Sequence, residues 1–105
     1  LRLETKEVTP IDWDTSAGGF QGEAGKTFAF RCPGEGSAKP IYGSDIYTDD
    51  SSICTAAVHV GLISLEGGGV VTIEIRPGRS TYGSTIRHGI KSNNFGEYGR
   101  SFVIR

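Results

Sequence analysis

The sequence predicts an α+β domain, with a single buried helix at about residues 50–60 set among several short strands. Three observations carry this. Between Ile53 and Val60 only Thr55 and His59 are polar; Asp49, Asp50, Ser51 and Ser52 precede the stretch and Gly61 follows it. Val71, Ile73 and Ile75 alternate with Thr72, Glu74 and Arg76, the period-two pattern of a strand buried on one face. Glycine supplies 16 of 105 residues, scattered and without a period, as the turns of a loop-rich fold require.

Taken in order, residues 1–25 form a polar lead-in with Ile11 and Trp13 as its anchors, flanked by Asp12 and Asp14. The indole reads as a plug at the core edge whose N–H finds a partner; stacking on a glycan is the alternative. In Lys26–Arg31, Phe28 and Phe30 fall on one face, so this is a half-buried strand, ended by Cys32-Pro33-Gly34. A loop over Gly34–Lys39 and a short extended piece over Pro40–Gly43 lead to the helix. There an Asp or Ser caps the first N–H groups, and acids suit the positive end of the dipole. Gly61 sits where a left-handed residue closes a helix. Ser51, Thr55 and His59 share one helical face, and Ala56-Ala57 lets other backbone come close. A short strand is expected over Leu62–Ser64, then a turn over Glu66–Gly69, then the strong strand to Arg76, ended by Pro77-Gly78. A polar loop around Tyr82, two weak strands over Thr85–His88 and Gly89–Ser92, and a loop over Asn93–Gly99 follow. Ser101–Arg105 is the last strand.

One domain of this length closes a modest core. Its apolar runs fall short of the ~18 residues of a membrane span. A net charge of −1 excludes a general nucleic-acid binder. The charge is unevenly placed, however. Residues 1–75 carry 5 basic and 11 acidic side chains, whereas residues 76–105 carry 6 basic side chains against Glu97 alone. This asymmetry marks either a face for an anionic ligand or two ends that neutralise each other.

The candidate chemistry is sparse. Cys32 and Cys54 either form a bridge, worth ~3 kcal/mol in the chain-entropy model, or stay as buried thiols; a zinc site lacks the usual paired spacing. His59 is the one candidate base, with Thr55 and Ser51 beside it. Neither of these lies in a strained nucleophile turn, so His59 reads as a structural tie between backbone groups. Asp45, Asp49 and Asp50 lack the alternation of a calcium loop, and Gly67–Gly69 lacks the lysine of a phosphate loop. No catalytic residue, metal or cofactor is expected. The better binding candidates are Arg76, Arg79, Arg87, His88 and Lys91 around Tyr82, because guanidinium forks pair with phosphate or carboxylate and an aromatic ring stacks on a sugar.

The run Tyr47…Ser52-Ile53-Cys54-Thr55-Ala56-Ala57-Val58-His59-Val60-Gly61-Leu62-Ile63 resembles the signature of the LCCL domain, a family named for Limulus clotting factor C, cochlin and the late gestation lung protein. Its structural motif falls here on Tyr47, Ser52, Cys54, Ala56, Ala57, His59 and Gly61. The likeness extends through Cys32-Pro33, Ile41-Tyr42-Gly43, Gly68-Gly69, Val71–Ile75, Tyr82, Gly89-Ile90 and Ser101-Phe102-Val103, about residues 26–105 in all. It implies a central helix wrapped by short antiparallel strands and a Cys32–Cys54 disulfide. Animal members usually have a second bridge, which this chain lacks, so residues 1–25 are left without that tether. The family occurs in secreted multidomain proteins tied to innate defence and matrix.

The expectation is therefore a secreted or extracytoplasmic, non-enzymatic module, one unit of a longer protein and an excised piece or mature product. It would bind an anionic surface glycan or lipopolysaccharide through residues 76–91. The second reading is a structural adaptor whose protein contacts run through an apolar patch at Trp13 or Phe95.

Overall fold

The caps fix the helix. In the computed structural model, which describes residues 8–20 and 24–105, α1 spans Ile53–His59 and is buried along its whole length. Residues 1–7 and 21–23 of the expected lead-in lie outside the described residues. Ser52 is the N-cap: its Oγ accepts from the Thr55 N–H at 3.1 Å. At the other end Gly61 takes φ +89°. Its N–H donates to Val58 O and the Leu62 N–H to Ala57 O, both at 2.9 Å, the paired bonds of a Schellman stop. The acids before the helix do other work. Asp49 receives Arg100 Nη1 at 3.2 Å, and Asp50 accepts from the Thr48 hydroxyl.

The strands are β1 (Val8–Pro10), β2 (Thr27–Cys32), β3 (Gly43–Ser44), β4 (Ile46–Thr48), β5 (Gly69–Arg79), β6 (Ile86–Arg87), β7 (Ile90–Lys91) and β8 (Tyr98–Ile104). Six make one sheet in the order β1-β2-β5-β8-β4-β3, antiparallel except where β1 runs parallel to β2, and β6 and β7 form a separate ribbon. Register explains the core. Phe28 pairs Ile73, Phe30 pairs Val71, and Phe102 lies between Ile75 and Tyr47. Partners directly opposite share a face, so one face of the sheet is apolar and packs on α1. Ile90 of the ribbon joins the same core. Cys32, at the end of β2, and Cys54, in the first turn of α1, form a disulfide across that junction.

Three boundaries differ from expectation. β5 continues through Pro77-Gly78, because its pairing with β2 stops at Glu74 and only β8 flanks the rest; a proline is tolerated where one side of a strand is unpaired. Leu62–Ser64 is no strand: Ser64 closes a tight loop, its carbonyl accepting from Gly68 N and its Oγ from Gly67 N. β8 begins at Tyr98, paired with Arg79, three residues before the expected start.

Residues 8–20 are held without a covalent link. β1 adds to β2, Trp13 and Ala17 enter the core, and a single 3-10 turn spans Ala17–Gly19. Ser52 Oγ donates to Trp13 O at 2.8 Å, and Ile53 N–H donates to Thr15 O at 3.1 Å. The stretch preceding the first strong strand thus closes over the N-terminus of α1.

Candidate functional site

His59 ends α1 with no exposed surface. Its Nε2 lies 3.2 Å from the carbonyl of Thr85, and its Nδ1 lies 2.7 Å from the Tyr47 hydroxyl. A carbonyl only accepts, so Nε2 carries the proton; Nδ1 is bare and Tyr47 donates to it. Burial lowers the His59 pKa below its usual 6.5, and burial pushes Tyr47 up to about 12. Both groups stay neutral and both ring nitrogens are committed. The hydroxyls beside His59 are committed as well: Ser51 Oγ accepts from Tyr42 N at 2.9 Å and Thr55 Oγ1 from Lys39 N at 3.0 Å. These three polar residues pin loop backbone to a buried helix, the tie expected of His59.

The rest of the motif serves the same packing. Ala56 and Ala57 are fully buried, and Cys54 carries the bridge. Thr85, the partner of His59, has its backbone N–H on Ser92 Oγ at 3.0 Å and its hydroxyl 2.6 Å from Ser44 Oγ. The β6–β7 ribbon is therefore locked to the helix C-terminus.

Five of the six residues expected to bind ligand fall in two places. Arg76 and Arg79 line a depression of about 180 Å³ with Ile46, Pro77, Gly78 and Ser101. Arg76 Nε lies 2.9 Å from Glu74 Oε2 but makes no hydrogen bond, while Arg105 reaches the other oxygen of that carboxylate at 2.7 Å. Arg87, His88 and Lys91 belong to the β6–β7 ribbon. Arg87 pairs with Asp45 at 2.6 Å. Arg79 and Lys91 are exposed and have no ion pair among the described residues.

Two aromatic expectations change. Tyr82 is only 4% exposed; its hydroxyl accepts from Arg79 N at 3.0 Å and donates to Tyr98 O at 3.1 Å, so it braces the arginine loop and offers no ring to a ligand. Trp13 is buried, with Nε1 donating to Pro33 O at 2.9 Å and the indole lying against Gly36, where a Cβ would stand 2.0 Å from it. It is neither a glycan platform nor an exposed patch. Phe95 is exposed and meets Tyr42 and Tyr98 edge-on.

His88 was expected on the basic surface. Its φ of +53° and that of Gly89, +80°, make the two-residue turn joining β6 to β7. Its Nδ1 lies 2.9 Å from His59 O and so donates to a free carbonyl of the helix end. Beside it lies a groove of about 470 Å³, lined by Val58, Gly61, Ile63, Leu65, Glu66 and His88 among others. Sequence reading missed this groove. The alternation of Ile63 and Leu65 was its one signal, and that pattern reads equally as a strand.

Among the described residues there is no cluster of His, Cys, Asp and Glu fit to hold a metal ion, and no helix is long and apolar enough to cross a membrane.

The family model for the LCCL domain matches residues 11–102, taking in Trp13 and Ala17 as well as the helix motif. Similar proteins include human cysteine-rich secretory protein LCCL domain-containing 2, 44% identical over 67 residues, which covers 62% of this chain and 14% of that protein. Human cochlin is 42% identical over 64 residues, 61% of this chain and 12% of its own. Clotting factor C of Tachypleus tridentatus is 34% identical over 94 residues, 88% of this chain and 9% of that protein. The chain thus spans a small fraction of the length of the relatives it matches.

Proposed function

The chain belongs to the LCCL domain family, and we propose that it is a secreted, non-enzymatic recognition module for anionic surface glycans or lipopolysaccharide-type ligands, bound through Arg76, Arg79, Arg87, His88 and Lys91. The reading is carried by the pairing state of these cations. Arg76 and Arg87 are steadied by Glu74 and Asp45, whereas Arg79 and Lys91 face solvent with no carboxylate of the described residues upon them. Such an array is pre-set for phosphate, sulfate or carboxylate, since the fixed arginines lose little freedom on binding. Tyr82 serves it from beneath by holding the Arg79 backbone. A binding role is favoured over catalysis by the state of His59, buried with both nitrogens spent. The disulfide suits an oxidising, extracytoplasmic setting.

The test is binding of the oxidised protein to an immobilised sulfated polysaccharide and to lipopolysaccharide-containing vesicles, at low and high salt. Salt-weakened binding is expected, reduced at least about tenfold in the Arg79→Glu/Lys91→Glu double variant. Binding untouched by that variant overturns the site, and a folded protein that binds neither probe overturns the ligand class.

A second reading, a structural adaptor in a multidomain extracellular protein, is favoured by Phe95 alone, 43% exposed at the head of an aromatic trio with Tyr42 and Tyr98. It predicts protein partners whose capture Phe95→Ser abolishes and charge reversal at Arg79 leaves intact.

A further inference from the structure

We propose that the groove at the C-terminal end of α1 is a second docking site, built for an extended segment of a partner protein that presents a branched aliphatic or aromatic side chain next to a lysine or arginine. The floor is apolar: Val58 from the helix, and Ile63 and Leu65 from the loop that follows it. Its volume, about 470 Å³, lies within the range of pockets that bury a ligand body. Leu62, between two lining residues in sequence, is 49% exposed and carries the apolar surface past the cavity. A chain with several contact points uses that extension; a small molecule does not.

Charge sets the partner's sign. Glu66 is the one carboxylate of the lining. Glu35 N donates to Glu66 O at 2.9 Å and Gly36 N to Leu65 O at 2.7 Å, so the loops bearing Glu35 and Glu66 run side by side. Neither acid has an ion pair among the described residues. His88 Nδ1–H is spent on His59 O, and its ring lies over Gly61 at the wall of the groove. Ser64 Oγ accepts from Gly67 N and keeps its own hydrogen to donate. An apolar wall with an acidic rim selects a cationic segment with an apolar anchor. The sign is opposite to that of the Arg79–Lys91 surface, so the two sites take different partners and this one does not depend on the anionic-ligand reading.

The probe is a capped tripeptide of one leucine and two lysines, titrated into ¹⁵N-labelled protein. Two control peptides replace the lysines by glutamates or the leucine by glycine. Amide shifts are expected at Val58, Gly61, Ile63, Leu65 and Glu66 with the first peptide and much smaller shifts with either control. Glu35→Gln/Glu66→Gln should weaken the first peptide about fivefold, while binding of the sulfated polysaccharide is retained. Shifts elsewhere, equal shifts from all three peptides, or none at millimolar peptide overturn the proposal. Both glutamates are exposed, and an unchanged spectrum outside the groove shows that the variant is folded.

Discussion

The Tyr47 hydroxyl donates to Nδ1 of His59 across 2.7 Å, between two rings set edge to face at 5.7 Å. This bond joins β4 to the last turn of α1 in a place without water access. Removing the hydroxyl alone leaves a buried nitrogen unsatisfied. Tyr47→Phe keeps the ring and its contact with Phe102, so the cost should come from the lost bond, about 1–3 kcal/mol. Urea denaturation checks this. A loss below about 0.5 kcal/mol would mean that this bond is not made in solution.

The same burial makes the domain acid-sensitive. The His59 pKa is lowered in the fold, chiefly by desolvation; Arg87 and His88 lower it too, while the Thr85 carbonyl and Asp45 oppose them. Unfolded, the imidazole returns to about 6.5. Above that value both states are neutral and pH has no effect through this group. Below it the unfolded chain takes up a proton the native state refuses, so stability falls as pH falls, by at most about 1.4 kcal/mol per pH unit, until the folded pKa is reached. Urea midpoints should be flat from pH 8 to 7 and decline from pH 6.5 to 5. The His59 ring proton, followed by NMR, should show no titration step at 6.5.

The Cys32–Cys54 bridge spans a sequence separation of 22 and ties β2 to α1. In the chain-entropy model a loop of that size is worth about 3 kcal/mol. Both sulfurs belong to core residues, so the pair Cys32→Ala/Cys54→Ala also loses packing, and a total of about 3–5 kcal/mol is expected. Reduction of the wild type, compared by thermal melting with the alanine pair, separates the cross-link from the lost volume.

What sequence could disclose follows from where the physics is local. Helix α1 was legible because its cap, its apolar run and Gly61 lie within ten residues, and the cores of β2 and β5 because period two needs no partner to be seen. β1 was not legible: three residues ending in Pro10 carry no pattern, and they form a strand only because β2 offers an edge. Pro77 looked like a stop, since the missing neighbour that makes it harmless is a fact of sheet order. The basic residues were visible as charge. That Asp45 would steady Arg87, and that Tyr82 would turn inward, depended on pairings 42 and 16 residues apart. The groove at the end of α1 was hidden for the same reason, since its walls come from the helix, the loop after it and a turn near residue 88.

Gly61 and His88 form a pair whose cost can be measured as a coupling. An alanine at position 61 meets two objections. Its φ of +89° is one that a Cβ disfavours, and the added carbon would stand 2.6 Å from His88 Cε1 and 2.7 Å from Nε2. The backbone part is worth about 1–2 kcal/mol. The steric part moves the imidazole, and with it the donor on His59 O. His88→Ala alone removes that donor for about 1 kcal/mol. In Gly61→Ala/His88→Ala the clash has no second party, so only the backbone cost and the lost bond remain. The double variant should therefore be less destabilised than the two single losses added, by about 0.5–2 kcal/mol. Simple additivity in urea denaturation would mean that the ring does not lie over Gly61 in solution. The lock between the β6–β7 turn and the helix end would then reduce to the Thr85–His59 bond.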